Sequence, residues 1–182
     1  SRGLGDVYKR QVWIGTKAGI SRYDGHELKK YVYSPNNPHS IPNNLIHQIA
    51  EDEMSNIWIL TDKGIARYQR QSDDFFLPTD EKGNPIIAYS TCLTKDGVLF
   101  GSKDKVYFYS YRDSSLRLLQ KLNKGNNFNI SLLSLWNEHT VLCCSRWQGL
   151  ALLDLKTGKH RLPPFDCGKE IMNMPVSYTH LR

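Results

Sequence analysis

The side chains able to do chemistry in this chain are scattered rather than clustered. Arg146-Trp147 offers the most: a guanidinium that donates planar pairs of hydrogen bonds, beside an indole face on which a flat ligand can stack. That is binding chemistry, and catalysis finds no counterpart. The chain has no GxSxG elbow, no HExxH and no glycine-rich phosphate loop. His26, His39, His47, His139 and His160 stand apart, with no pair at metal-ligand spacing. A glycosidase needs two carboxyl groups flanking the sugar bond, and no spacing here selects such a pair. Glu51-Asp52-Glu53-Met54-Ser55-Asn56 partly matches a calcium loop but lacks its glycine and distant glutamate. It lies between two apolar runs and reads as a hairpin turn. Cys92, Cys143, Cys144 and Cys167 contain no CxxC, which leaves zinc and thioredoxin-type chemistry without support. They read as buried free thiols, with adjacent Cys143 and Cys144 pointing to opposite faces of one strand. The residues predict no catalytic group, no metal and no cofactor.

The elements that must position these side chains follow a rhythm. Val12-Trp13-Ile14-Gly15-Thr16 is followed by Gly19-Ile20 and Tyr23, and Ile57-Trp58-Ile59-Leu60-Thr61 by Gly64-Ile65 and Tyr68. Each matched pair is 45 positions apart. Two weaker copies follow, Val98-Leu99-Phe100-Gly101-Ser102 and Val141-Leu142-Cys143-Cys144-Ser145. A period of roughly 40–50 residues, built from short apolar runs and turns, is the signature of a propeller blade. The fold class is therefore all-β: about four four-stranded antiparallel blades of a β-propeller, forming an incomplete ring. The repeats fall at 12–33, 41–77, 86–122 and 128–165. In the second, 45–51 reads as the inner strand, 57–61 as the second, 65–70 as the third and 75–77 as a short outer one. Trp13, Trp58, Leu99 and Leu142 are expected at matching places in successive second strands, the tryptophans as packing anchors. Gly19 and Gly64 are expected to take positive φ in tight hairpins.

Both ends break the rhythm. Ser1-Arg2-Gly3-Leu4-Gly5-Asp6-Val7-Tyr8-Lys9-Arg10-Gln11 lacks the polar turn found before Ile57. This segment and 175–182 (PVSYTHLR) resemble translated sequencing-adapter sequence, which makes 1–11 and 175–182 non-native flanks and 12–174 the partial propeller. The formal net charge of +6 is also inflated there, by Arg2, Lys9, Arg10 and Arg182 against Asp6. Within the repeats the only adjacent basic pair is Lys29-Lys30, read as a solvated face, so no nucleic-acid footprint is formed. No apolar run approaches the ~18 residues that span a membrane.

The second repeat resembles a known family. Ser40-Ile41-Pro42-Asn43-Asn44-Leu45-Ile46-His47-Gln48-Ile49-Ala50-Glu51-Asp52, then Asn56-Ile57-Trp58-Ile59-Leu60-Thr61, Gly64-Ile65 and Tyr68, looks like a two-component regulator propeller repeat. Trp13-Ile14-Gly15-Thr16 with Gly19-Ile20 and Tyr23 matches the end of such a repeat more closely still. Leu60 departs from the usual glycine, Met54-Ser55 from the turn glycine, and the third and fourth units lose the tryptophan. The resemblance implies the periplasmic sensor region of a hybrid two-component histidine kinase in a glycan-foraging bacterium. It implies an oligosaccharide ligand, further propeller blades and downstream sensor domains as partners, and a homodimeric parent. No nucleic acid and no direct membrane contact are implied for this segment.

Propeller geometry then says which loops a ligand meets. Connections between blades (34–44, 78–85, 123–129) and between second and third strands (16–19, 61–64, 102–105, 145–148) emerge on one face. Sugars are held by aromatic faces together with planar polar side chains. Arg146 and Trp147 are the aromatic-plus-guanidinium pair in these loops, and so the ligand-binding candidates. A propeller enzyme of lyase or glycosidase type and a structural docking propeller remain open beside the sensor.

Overall fold

A computed structural model describes residues 11–122, 129–146 and 149–161. Every regular element in them is a strand, and each sheet is a meander of sequence-adjacent antiparallel strands. Sheet 1 holds β1 (Val12–Thr16), β2 (Gly19–Tyr23) and β3 (Leu28–Tyr31). Sheet 2 holds β4 (Ile46–Glu51), β5 (Ile57–Thr61), β6 (Gly64–Gln69) and β7 (Asp74–Phe76). Sheet 3 comprises β8 (Ser90–Thr94), β9 (Gly97–Gly101), β10 (Lys105–Ser110) and β11 (Leu116–Lys121). Sheet 4 comprises β12 (Ile130–Asn137), β13 (Thr140–Ser145), β14 (Gly149–Asp154) and β15 (His160–Arg161). Three sheets thus have the expected four strands and sheet 1 has three among the described residues. An inner strand before Val12 would fall on the segment ahead of it, and the flanks read as non-native, 1–11 and 175–182, lie outside the described residues apart from Gln11.

The repeat register recurs in the pairings. Trp13 faces Arg22, Trp58 faces Arg67, Leu99 faces Phe108 and Leu142 faces Leu152. Trp58, Leu99 and Leu142 lie on the second strand of their sheets and Trp13 on β1, the first described strand of sheet 1. Three apolar clusters fill the three junctions between successive sheets. Trp13 and Ile20 meet Ile57, Ile59 and Tyr68 at the first junction. Trp58 and Leu60 meet Ala88, Val98 and Phe100 at the second, and Leu99 and Val106 meet Ile130, Val141 and Cys143 at the third. Alternate residues of one strand therefore serve two junctions, which is why β5 and β9 are buried along their whole length. Trp58 is fully enclosed and edge-packed on Phe100 and Tyr109 at 4.9 and 4.8 Å. Its indole N–H donates to Asp52 Oδ2 at 2.8 Å, and Asp52 Oδ1 accepts the backbone N–H groups of Met54 and Asn56. The acidic segment before β5 is thus a turn organised around Asp52, as its place between apolar strands implies. Six residues before Trp13 stands Val7 in place of such an aspartate, and the Trp13 indole N–H has no acceptor among the described residues.

The departure at Leu60 has a packing cause. A Cβ on Gly15 would lie 2.7 Å from Ile46 Cγ2, and one on Gly101 the same distance from Ile130 Cγ2. Ile46 and Ile130 begin the next sheet's inner strand. At the middle junction the volumes are exchanged: Leu60 stands in the glycine position, and the residue in register with Ile46 is Ala88. Close packing tolerates either arrangement but not two large side chains together.

Two expectations need correction. Gly19 has φ of 112°, as a tight hairpin requires, but Gly64 is not among the positive-φ glycines. A side chain there would meet Pro42 and Pro85 at 3.4–3.5 Å, so Gly64 sits in ordinary contact with two connectors rather than in a left-handed bend. Lys29 is also more than a solvated charge. Its ammonium pairs with Asp73 of the next sheet and lies 5.3 Å from the Tyr31 ring centroid, while Lys30 is exposed.

Candidate functional site

Backbone hydrogen bonds tie each inter-sheet connector to the preceding sheet's second hairpin. Gly19 N donates to Asn44 O and Ile65 N to Ile86 O at 2.9 Å, and Ile130 N donates to Lys103 O at 2.7 Å. Inner-strand starts and second-to-third-strand hairpins therefore share one end of every sheet, the end that loop geometry marks for a ligand. There the inner strands are irregular. Register shifts between Ile46 and Gln48, and between Ile130 and Leu132, leave His47 and Ser131 unpaired. Tyr89 holds the matching place in sheet 3, its N–H donating to Gly101 O at 2.8 Å. A bulge re-aims the side chain at the extra residue and leaves it free of the pleat.

His47 is the centre of one such group. His47 Nε2 is 2.5 Å from Asp62 Oδ1, the carboxylate at the tip of the β5–β6 hairpin. The His47 ring lies 6.4 Å from that of Tyr89, tilted by 57°. All three remain within reach of solvent: the side chains of His47 and Asp62 are 32% and 46% exposed, and Tyr89 as a whole residue is 40% exposed. Ring faces beside an imidazole and a carboxylate present stacking surface together with donors and acceptors, the equipment for holding a hydroxyl-rich ligand. Among the described residues no three metal-ligating side chains converge.

Arg146 is exposed at the β13–β14 hairpin, on the same end but two sheets beyond His47. Trp147 lies outside the described residues, so the pairing expected of these two is not placed. Sequence reading passed over His47, Asp62 and Tyr89 because 15 and 42 residues separate them from one another. The signal was present in the repeat: each is the residue just inside a connector or at a hairpin tip. The thiols take no part. Among the described residues Cys92, Cys143 and Cys144 form no disulfide, and burial pushes Cys143 up to about 12 and Cys92 to about 11, far from thiolate reactivity.

The opposite end of the sheets bears a second polar assembly. Asp73, in the β6–β7 turn, accepts hydrogen bonds from Arg22 Nη1 at 2.8 Å, Tyr31 Oη at 2.7 Å and Tyr68 Oη at 2.5 Å, and pairs with Lys29. Burial disfavours its charge, yet the bonds from Lys29, Tyr31 and Tyr68 and the Arg22 guanidinium more than offset this and hold its carboxyl well below the usual range. Burial and the same carboxylate push the Tyr31 and Tyr68 hydroxyls up. Arg22, Lys29 and Tyr31 belong to sheet 1 and Tyr68 to sheet 2, so Asp73 clasps two sheets.

No family model and no curated protein matches this chain. Solved structures do. The chain is similar to the extracellular domain of the hybrid two component system BT3049 from B. thetaiotaomicron, with TM-score 0.63 and 17% identity over 84% of this chain and 22% of that one. It is similar to the extracellular domain of BT4673 from the same organism, with TM-score 0.66 and 19% identity over 87% of this chain and 21% of that one. A third similar structure is virginiamycin B lyase from Staphylococcus aureus, with TM-score 0.56 and 13% identity over 83% of this chain and 50% of the lyase. The chain spans about a fifth of the length of the first two. At these identities the likeness establishes the propeller fold.

Proposed function

We propose that this chain is part of the extracytoplasmic, ligand-sensing propeller of a hybrid two-component regulator, responding to glycan-derived oligosaccharides. The observation that supports it is the exposed His47–Asp62–Tyr89 cluster at the connector end of the arc. The Trp-Ile-Gly-Thr repeat and the extracellular sensor domains of similar fold set its context. The ligand rests across the inner-strand starts, with Tyr89 as stacking face, His47 and Asp62 bonding ring hydroxyls, and Arg146 as a further cation on the same end; Trp147, its expected companion, lies outside the described residues. The reading places the segment in the periplasm of a homodimeric parent, with further blades as its neighbours.

Calorimetric titration with defined neutral and acidic oligosaccharides tests it. Binding is expected, and to weaken by at least about tenfold in both His47→Ala and Tyr89→Ala. Binding that neither change touches, or none with any glycan, sinks the reading. A lyase or glycosidase is the second reading, favoured by the exposed His47–Asp62 pair alone. It requires turnover, so a shortened product in the same titration mixtures would select it.

A further inference from the structure

One arginine register recurs at two junctions with different company. Arg22, opposite Trp13, reaches from sheet 1 to Tyr68 and Asp73 of sheet 2. Arg67, opposite Trp58, reaches from sheet 2 to the hydroxyl of Tyr109 in sheet 3, the register equivalent of Tyr68. The equivalent of Asp73 is Ser114. Each follows its tyrosine by five residues, and each has a left-handed φ, 55° and 54°. Phe76 stands where Lys29 stood, opposite the arginine. The counterpart of the Asp73 carboxylate is missing at the second junction and the guanidinium remains, with Asp52 held by the Trp58 indole.

Arg67 makes no ion pair among the described residues. Three rings hold it instead, with centroids at 5.3 Å for Phe76, 5.5 Å for Tyr109 and 5.9 Å for Trp58. Ring faces fix the guanidinium plane without consuming its N–H donors, of which the Tyr109 hydroxyl takes one. Arg67 also lines a groove of about 540 Å³ shared with Asn56, Gln69, Arg70 and Ser72, and no lining side chain is acidic. The groove therefore offers an oriented, half-buried cation, flanked by the Asn56 and Gln69 amides, which bond the Asp52 and Asp74 carboxylates, and by a second arginine whose Nη2 bonds Ser55 O at 2.8 Å.

We propose that this groove binds the carboxylate of a small acidic molecule of the uronic-acid class. Arg67 gives that ligand the charge-assisted bonds that Arg22 gives Asp73 within the chain. The groove lies at the opposite end of the sheets from the His47 cluster, and the proposal stands independently of the sensing reading.

The test follows the Arg67 side-chain N–H signal by NMR in the full chain, titrated with sodium glucuronate. Glucose, sodium chloride and sodium sulfate at matched ionic strength are the controls. A saturable shift with glucuronate, absent with glucose and chloride, is expected. Ser114→Asp restores the missing carboxylate at a position whose backbone already suits aspartate. It should weaken glucuronate binding by at least about tenfold while leaving the melting temperature equal or higher. If that variant does not fold, Arg67→Lys, which keeps the charge and loses the planar fork, takes its place with the same expected loss. No saturable shift, an equal shift with chloride, sulfate binding as tight as glucuronate, or a folded variant with undiminished binding would each overturn the proposal.

Discussion

Single side chains here act mainly by being shared between repeats, and Asp73 is the clearest case. It satisfies two cations and two tyrosine hydroxyls drawn from both sheets it joins. Its carboxyl is held below its ordinary value near 3.8, so the bound state favours the ionised form. Its contribution to stability is therefore complete above that ordinary value and is lost as pH falls towards the lowered, folded one. Asp73→Asn keeps the shape and removes the charge. It should lower unfolding free energy at pH 7 by about 1–3 kcal/mol in urea titrations, and the difference from the native chain should shrink in strong acid. A difference independent of pH down to 2 would mean the clasp is not electrostatic. Neither the four-way acceptor nor the His47–Asp62 contact was legible from residue types, because both join residues of different strands. What was legible was Trp58 as an anchor, since the repeat itself marks its position.

At the scale of the element, the sheets are nearly interchangeable in backbone and complementary in side-chain volume. Glycine in the second strand is matched by isoleucine at the next inner-strand start, and Leu60 by Ala88. Leu60→Ala should cost about 2–5 kcal/mol by leaving a cavity at the middle junction. Adding Ala88→Ile should recover at least half of that, while Ala88→Ile alone destabilises by overpacking. A double-mutant cycle in denaturant measures the coupling, and strictly additive costs would show that the two residues do not share one space. The strands themselves were readable from the sequence to within a residue: 57–61 coincides with β5, and the expected 65–70 and 75–77 became Gly64–Gln69 and Asp74–Phe76. The volume exchange was not readable, since Leu60 alone looks like a lapse from the repeat.

For the molecule as a whole, what matters is which sheet faces are covered. Val12 and Ile14 on sheet 1 are 52% and 47% exposed, whereas Ile57 and Ile59, in the same register on sheet 2, are 5% and 0%. The difference is the sheet packed against the second pair. Repeat arrays depend on such neighbour contacts, and each aliphatic side chain left uncovered forgoes about 1.5–3 kcal/mol. The chain by itself should associate reversibly as concentration rises, as followed by sedimentation velocity. Ile14→Lys should suppress the association without lowering the melting temperature. Monomeric behaviour at every concentration, or association indifferent to Ile14→Lys, would show that this face is not the driver.

The sequence by itself determined the fold class, the strand order and the register. Period-two strands punctuated by turns at a constant interval admit few other solutions, and local hairpins need only neighbouring residues. Tertiary structure alone decided which side chains meet across the sheets. The His47–Asp62–Tyr89 cluster, the Asp73 clasp and the ring-held Arg67 each arise where different repeats touch. Their contacts depend on how one sheet packs on the next, and that angle and offset come from the packing of Trp13, Trp58 and Leu99 against the following sheet, which no single repeat encodes.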